Sequence, residues 1–263
     1  MDTNSNQARR VVIGITAHVD AGKTTLAEAM LYRTGRLRKL GRVDHGSAAM
    51  DSHLLERERG ITIFSSQAEL PIGDLEVTLL DTPGHVDFSA EMERTLSVLD
   101  YAILVISGAD GIQAHTRTLW RLLELYRIPT FLFVTKMDFG RCGRGQMMEH
   151  LRHELGEGCV DFTPADRERR MEQLATCRED ALEAYLDGGE VPDALVRQLV
   201  GRRLVFPCWF GSGLKLEGID EFLEGLARYV EPPAYPAAFS ARVFKISHDP
   251  QGKRLTHLKV TGG

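Results

Sequence analysis

The sequence contains no apolar run long enough to cross a membrane. A membrane helix needs about 18 consecutive apolar residues, and the polar N-terminal segment M-D-T-N-S-N-Q contains no apolar signal sequence. Cysteine is scarce, and the four cysteines show neither C-x-x-C pairing nor even spacing, which argues against a disulfide framework or a zinc site. Scattered thiols suit a reducing compartment, so we expect a cytoplasmic protein with no membrane partner.

The sequence also lacks a surplus of basic residues. Its formal net charge is −5 and charged residues make up 26% of the chain, so the protein as a whole is not a surface for bare nucleic acid. We expect no DNA partner, and any RNA must be bound locally. The 263 residues suffice for one complete α/β domain and the start of a second, and we expect a monomer.

Short apolar runs alternate with helical stretches along much of the chain. This alternation is typical of an α/β fold, with a mostly parallel sheet covered by helices on both faces. The predicted strands are residues 11–15, 75–80, 102–106, 131–134 and 204–206. The predicted helices are residues 23–33, 87–99, 113–126 and 217–229.

Three regions interrupt this order. Residues 36–60 have little periodicity and are too long for an ordinary connection, so they are either disordered or a moving functional loop. Residues 140–203 are rich in charge and are interpreted as a helical insertion, with helices near 165–186 and 193–201. Prolines mark a linker at residues 231–238.

Beyond this linker, two alternating segments flank the turn D-P-Q-G. Such a pattern predicts a β-hairpin. Because a lone hairpin is marginal in water, we expect it to be the beginning of a second, β-type domain.

A phosphate-binding loop is predicted by the segment A-H-V-D-A-G-K-T-T at residues 17–25. Backbone N–H groups of such a loop point at the phosphates, and the following helix adds its positive end. Lys23 would reach the β- and γ-phosphates, and Thr24 would offer a hydroxyl to Mg²⁺. Ala17 replaces the usual first glycine, and a small residue there still permits the turn. The predicted phosphate-binding residues are Asp20, Ala21, Gly22, Lys23, Thr24 and Thr25.

A second segment, D-T-P-G-H at residues 81–85, follows the apolar run L-E-V-T-L-L. A carboxylate at the end of a neighbouring strand can hold Mg²⁺ through a water molecule, which makes Asp81 a candidate. Gly84 can present its backbone N–H to the γ-phosphate. Taken alone, the segment is also compatible with a plain Pro-Gly turn.

The segment T-K-M-D at residues 135–138 predicts that the base is guanine. Asp138 can accept hydrogen bonds from N1–H and the exocyclic amine of guanine, and adenine offers neither. The stem of Lys136 can lie over the base plane. Thr135 stands where GTPases usually have asparagine, and we expect guanine binding to survive this replacement. Backbone N–H groups for the guanine O6 are expected from Ser212, Gly213 and Leu214 of the segment G-S-G-L-K.

All four segments follow the C-terminal ends of predicted strands. In an open α/β sheet these ends line one edge, and ligands bind there. The sequence therefore predicts one site for GTP or GDP and Mg²⁺ at that edge.

With these motifs the chain resembles translational GTPases of the elongation factor G group, and among them the tetracycline-resistance ribosomal protection proteins. The resemblance covers nearly the whole chain and includes L-L-E-R-E-R-G-I-T-I at 54–63, D-T-P-G-H-V-D-F at 81–88, L-S-V-L-D at 96–100 and V-F-K-I at 243–246. It implies a Ras-like P-loop GTPase domain at residues 1–230, with the insertion at about 140–203. A linker at 231–238 and the start of a β-barrel domain at 239–263 would follow.

The resemblance also implies two nucleotide-dependent switches. Residues 36–60 would be the first, ordered when Thr62 binds Mg²⁺ and the γ-phosphate. His85 in the second would orient the attacking water, flanked by Val19 and Ile61 as an apolar gate. Ribosomal RNA would dock near His85 and complete the site, so turnover by the isolated chain would be slow.

Different functions remain compatible with these residues. The first is ribosome-stimulated GTP hydrolysis within a tetracycline ribosomal protection protein or, alternatively, within an elongation factor G-type translocase. The second is a GTP-dependent binding switch with negligible hydrolysis, its catalysis weakened by Thr135 or by loss of other domains. An ATPase is disfavoured by Asp138, whereas His85 and Thr62 favour the enzyme.

Overall fold

The structure of the protein is a computed structural model that describes residues 9–38, 66–82, 89–139, 142–163, 167–249 and 251–263. In this part of the chain a seven-stranded sheet is followed by a separate two-stranded sheet. The strands are β1 (Arg9–Ala17), β2 (Ser66–Ile72), β3 (Leu75–Asp81), β4 (Tyr101–Ser107), β5 (Thr130–Thr135), β6 (Cys159–Asp161), β7 (Phe206–Phe210), β8 (Ser240–His248) and β9 (Arg254–Gly262). The helices are α1 (Lys23–Arg33), α2 (Ser89–Leu96), α3 (Ala114–Leu125), α4 (Arg144–Leu155), α5 (Arg167–Thr176), α6 (Glu179–Gly188), α7 (Asp193–Gly201) and α8 (Ile219–Tyr229).

The large sheet has the strand order β2-β3-β1-β4-β5-β7-β6. Strand β2 runs antiparallel to β3, and the remaining neighbours are parallel. Parallel neighbours need crossover connections, which place their carboxyl ends at one edge of the sheet. The predicted mostly parallel sheet is therefore confirmed, and β1 lies in its interior between β3 and the central strand β4.

Helices cover both faces of the sheet, as predicted. Side chains of α1, α8 and the helices α5 to α7 pack in one buried cluster with alternate residues of β4, such as Ile103 and Val105. Side chains of α2, α3 and α4 pack in a second cluster with the intervening residues, such as Leu104 and Ile106. This two-sided burial explains why β4 and β5 are apolar at nearly every position.

Most predicted elements have the observed type, and their differences have local causes. The strand predicted at 204–206 instead runs from Phe206 to Phe210, because the backbone N–H of Leu204 closes the end of α7 on the carbonyl of Leu199. The long helix predicted near 165–186 is two helices, since the backbone of Arg178, the residue before α6, is extended.

Strands β2 and β6 were not predicted, and helix α4 was predicted only as part of the helical insertion, without limits of its own. Strand β6 lies within the charged region 140–203 and pairs with β7, so this region contributes an edge strand to the main sheet. Met147 and Leu151 of α4 are buried against that sheet. The region is therefore not purely a solvated set of helices, although the division of the chain into domains stays a prediction.

The hairpin β8–β9 contacts the turn that follows α2. Lys259 Nζ lies 2.5 Å from Asp100 Oδ1 and donates to the carbonyl of Val98, and Arg242 donates to the carbonyl of Ser97. Asp100 also accepts a hydrogen bond of 2.8 Å from the backbone N–H of Val12. The hairpin is thus tied to strand β1, while its predicted membership of a β-barrel stays a prediction.

In the described ranges, no helix has the length and apolar character required to cross a membrane.

Candidate functional site

The predicted phosphate loop connects the end of β1 to the start of α1. Two of its residues have left-handed backbones: Asp20 with φ 61° and Gly22 with φ 91°. Glycine adopts this conformation without a steric penalty, and aspartate is among the residues that tolerate it. Ala17, at the position of the usual first glycine, is completely buried as the last residue of β1. The small residue is therefore part of the sheet.

Lys23 and Asp81 form a buried ion pair below this loop. Lys23 Nζ donates to Asp81 Oδ1, and the side chains are 9% and 0% exposed. The next residue, Thr82, fixes the end of β3, because its backbone N–H and its hydroxyl both donate to the carbonyl of Ile15. The structure thus joins the predicted phosphate-binding lysine to the predicted magnesium-binding carboxylate.

Thr135 supports the phosphate loop from the end of β5. Its hydroxyl lies 2.6 Å from the carbonyl oxygen of Ala21 and 3.2 Å from that of Ile106. A hydroxyl has one proton to donate, and the shorter distance favours Ala21. The replacement for the usual asparagine therefore reaches the loop from a side chain that is almost completely buried.

Lys136 makes a second connection between the same two segments. Its Nζ donates to the carbonyl of Asp20 at 2.6 Å, and its own backbone is left-handed with φ 56°. The lysine stem therefore crosses from the predicted base-binding segment to the phosphate loop. This course is compatible with the predicted contact between the stem and the base.

Asp138 pairs with a residue that the sequence did not single out. Lys215 Nζ lies 2.8 Å from Asp138 Oδ2, and the Asp138 side chain is 16% exposed. The hydrogen bond from Lys215 holds the pKa of Asp138 below its usual range, and Asp138 in turn raises the pKa of Lys215. Asp138 is therefore ionised at neutral pH, as an acceptor of two guanine N–H groups must be. The only sequence signal was that Lys215 follows Leu214 in G-S-G-L-K.

The G-S-G-L-K segment packs closely on the start of α1. A Cβ atom at Gly213 would lie 3.1 Å from the carbonyl oxygen of Thr25, so glycine suits this close approach. Ser212 and Glu217 exchange backbone hydrogen bonds of 3.0 Å that close the loop. Ser212 is buried and Leu214 is exposed. The second predicted base-binding segment therefore adjoins the phosphate loop.

Several predicted site residues lie outside the described residues: Thr62, Gly84, His85 and Ile61. Thr24 and Thr25 are half-buried in the first turn of α1, and Val19 is half-buried in the loop before it. The proposed roles of all these residues stay predictions.

The oxygen donors near the phosphate loop suit Mg²⁺. The Thr24 hydroxyl and the Asp81 carboxylate are hard ligands of the kind that Mg²⁺ prefers when it also binds phosphate oxygens. Within the described ranges, no three His, Cys, Asp or Glu side chains form a cluster that could hold a metal by themselves. The binding of Mg²⁺ by Thr24 and Asp81 stays a prediction.

Comparison with known proteins identifies similar sequences and structures. The profile of the elongation factor Tu GTP binding domain matches residues 8–232. An oxytetracycline resistance protein from Streptomyces rimosus is 39% identical over 95% of this chain, and tetracycline resistance protein TetO from Campylobacter jejuni is 34% identical over the same share. The chain spans 42% of the length of each of these relatives.

A protein of Thermus thermophilus has a similar crystal structure. The TM-score is 0.87 at 27% sequence identity, and the match covers 97% of this chain and 46% of the other.

Proposed function

Because the chain belongs to the elongation factor Tu GTP-binding domain family, we propose that it binds and hydrolyses GTP and that ribosomes stimulate the hydrolysis. It is a translational GTPase domain related to ribosomal protection proteins. We propose that it acts in the cytoplasm, where its ribosomal partner is found.

The observation that carries this proposal is the set of contacts among the predicted nucleotide-binding segments. Thr135 holds Ala21, Lys215 holds Asp138, and Gly213 adjoins the first turn of α1. A preformed arrangement of this kind favours binding, because little loop ordering remains to oppose it. These contacts support one site for both the guanine base and the phosphates.

In the proposed mechanism, backbone N–H groups of residues 20–25 and the Lys23 ammonium bind the phosphates. Mg²⁺, which Thr24 and Asp81 would hold, would neutralise negative charge on the phosphate oxygens. The ion pair between Lys23 and Asp81 keeps both side chains in place within a buried site. Electrostatic interactions are strong there, because the local dielectric is low.

Asp138 selects guanine in this mechanism. Its carboxylate accepts from the two N–H groups on one edge of the base, and Lys215 keeps it ionised and oriented. We propose that Lys136 covers one face of the base and that Ser212, Gly213 and Leu214 serve the guanine O6. ATP would leave the Asp138 carboxylate without these donors, which disfavours its binding.

We assign the attacking water to His85 on the sequence alone. Phosphoryl transfer to water depends mainly on positioning and charge neutralisation. A single imidazole that orients the attacking water is therefore enough, and no covalent catalysis by a side chain is needed. Ribosomal RNA docking near His85 would complete the site, and Thr62 would bind Mg²⁺ and the γ-phosphate. Partner activation of a small GTPase reaches roughly 10⁵-fold, so slow turnover of the isolated chain is expected.

For the whole protein, we propose that it protects ribosomes from tetracycline. The named resistance proteins support this role, and translocation of the elongation factor G type is the alternative. Expression of the whole protein in a tetracycline-sensitive bacterium is expected to raise the concentration of tetracycline that inhibits growth. If drug sensitivity is unchanged and the protein instead replaces the host translocase in function, the alternative is favoured.

The experiment that tests the enzymatic proposal measures phosphate release from GTP with and without purified ribosomes, with ATP as competitor. Ribosomes are expected to raise the rate, and excess ATP is expected to leave it unchanged. Guanine-specific binding without stimulation would favour a binding switch. Equal inhibition of GTP binding by ATP and GDP would refute guanine selection.

Two substitutions separate catalysis from binding. His85→Ala is expected to keep nucleotide affinity within about threefold while abolishing ribosome-stimulated turnover. His150→Ala is the matched control, because His150 is an exposed histidine on α4. Lys23→Ala is expected to weaken GTP binding itself, and unchanged affinity would exclude the proposed phosphate loop.

A further inference from the structure

A polar pocket of about 350 Å³ opens between the start of α5, the turn before α7 and the end of α8. None of the residues assigned to the nucleotide lines it. Its base includes Met171 and Val191, which are buried and joined by a hydrogen bond of 3.4 Å from the Val191 backbone N–H to the Met171 sulfur. The charged residues that line it are Arg167, Arg170, Arg228, Glu190 and Asp193.

Two of the arginines are paired with carboxylates. Arg167 Nη2 lies 2.6 Å from Glu190, and Arg228 Nε lies 2.5 Å from Asp193. A guanidinium carries five N–H donors, so each pair leaves most of its donors for other acceptors. Both ion pairs are largely exposed, so water screens them and little free energy opposes their rearrangement.

Arg170 supplies the surplus positive charge. Among the residues that the structure describes, no carboxylate pairs with it; its Nη1 donates to the carbonyl of Phe162 at 3.3 Å. The guanidinium lies 5.5 Å from the centre of the Phe162 ring, and its buried Nε has no hydrogen-bond partner. A partly buried guanidinium with an unsatisfied donor is unfavourable unless an acceptor is supplied.

The three arginines all lie near Tyr229 at the end of α8. Burial raises the pKa of Tyr229 above its usual range, and the charges of Arg228, Arg170 and Arg167 only partly oppose this effect. Asp193 raises the pKa further. The three guanidiniums are therefore close enough together to act on one side chain.

We propose that this pocket binds the phosphate group of a small phosphate monoester. A phosphate monoester carries close to two negative charges at neutral pH and has three terminal oxygens, which match several guanidinium forks better than one carboxylate does. The pocket volume lies within the range of small-molecule sites. A nucleic-acid backbone phosphate has a single charge and offers no terminal group that could enter a pocket.

The test is calorimetric titration of the chain after saturation with Mg²⁺ and GDP and removal of the unbound nucleotide, so that the proposed nucleotide site is filled and no free GDP competes for the pocket. The probes are AMP, inorganic phosphate and a short single-stranded RNA. AMP and inorganic phosphate are expected to bind saturably with millimolar or tighter affinity, and added salt is expected to weaken both. Absence of saturable binding by AMP and phosphate, or binding of RNA alone, would overturn the proposal.

Substitutions locate the binding in the pocket. Arg170→Gln and Arg228→Gln are each expected to weaken AMP binding at least tenfold, whereas Arg202→Gln, at an exposed arginine after α7, leaves it unchanged. Glu190→Gln is expected to tighten binding severalfold, because it releases Arg167 from a competing carboxylate. An increase in AMP affinity cannot be explained by a misfolded variant, because misfolding would weaken binding. Equal affinity of the parent and Arg170→Gln, or weaker binding by Glu190→Gln, would refute the site.

Discussion

Replacement of Thr135 by valine tests whether a hydroxyl substitutes for asparagine in this site. Valine keeps the shape of the side chain but removes the hydrogen bond to the carbonyl of Ala21. Because Thr135 is only 3% exposed, water cannot readily replace the lost donor. The loss of such a buried hydrogen bond costs about 1–3 kcal/mol, which corresponds to about 2–4 °C in Tm for each kcal/mol in a chain of this size.

This free energy is shared between folding and nucleotide binding, since Ala21 belongs to the predicted phosphate loop. If all of it appears in binding, the affinity for GDP falls by about 5–150-fold. Titration with a fluorescent GDP analogue measures the affinity, and urea unfolding measures the stability. Thr135→Ser retains the hydroxyl and is expected to stay within about threefold of the parent. Equal affinity and stability of the valine and serine variants would refute the role of the hydroxyl.

Three further predictions concern Asp138 and the hairpin junction. Asp138→Asn is expected to lower GTP affinity by about 100-fold, since two charge-assisted hydrogen bonds to guanine are lost. It is also expected to favour xanthosine triphosphate (XTP), whose base edge suits an amide. Competition binding measures both effects, and an unchanged preference for GTP over XTP would contradict a contact between Asp138 and the base. Lys259→Met is expected to reduce the free energy of unfolding, measured in urea, by about 1–3 kcal/mol. In a chain that already carries Asp100→Asn, the same substitution is expected to cost less, and an equal loss with and without Asp100→Asn would exclude the ion pair. Burial and the nearby Asp100 carboxylate raise the pKa of Tyr235 to about 12. The contribution of the protonated Tyr235 to the free energy of unfolding is therefore complete below pH 10 and disappears as the pH rises through 12. The free energy of unfolding in urea should therefore fall over that range more steeply in the parent than in Tyr235→Phe, and equal slopes would contradict the shift.

The sequence was most informative where two signals coincided. The apolar run of β1, the phosphate-loop motif and helix α1 follow one another directly, and α1 has the predicted limits of residues 23–33. Strand β6 has three residues, too few for an alternating pattern, and its partner β7 is distant in sequence. Its existence depends on tertiary pairing, which periodicity does not reveal.

The candidate site was predictable in outline because its motifs follow strand ends. The side-chain contacts were not, since they depend on how different loops approach each other. The pairing of Asp138 with Lys215 joins loops that are remote in the sequence, and the contact of Thr135 with Ala21 depends on the order of β1, β4 and β5. The motifs named most of the residues, whereas the fold determined their partners.

The ion pair between Asp100 and Lys259 determines how short a version of the protein can be made. A version ending at Val230 would contain every residue of the predicted nucleotide-binding domain. It would nevertheless remove Lys259 and Tyr235, two side chains that contact a carboxylate of which only 9% is exposed. The loss of a cation beside such a carboxylate is unfavourable, and the same carboxylate holds β1 through Val12. The smallest unit expected to unfold in one cooperative step therefore includes the hairpin.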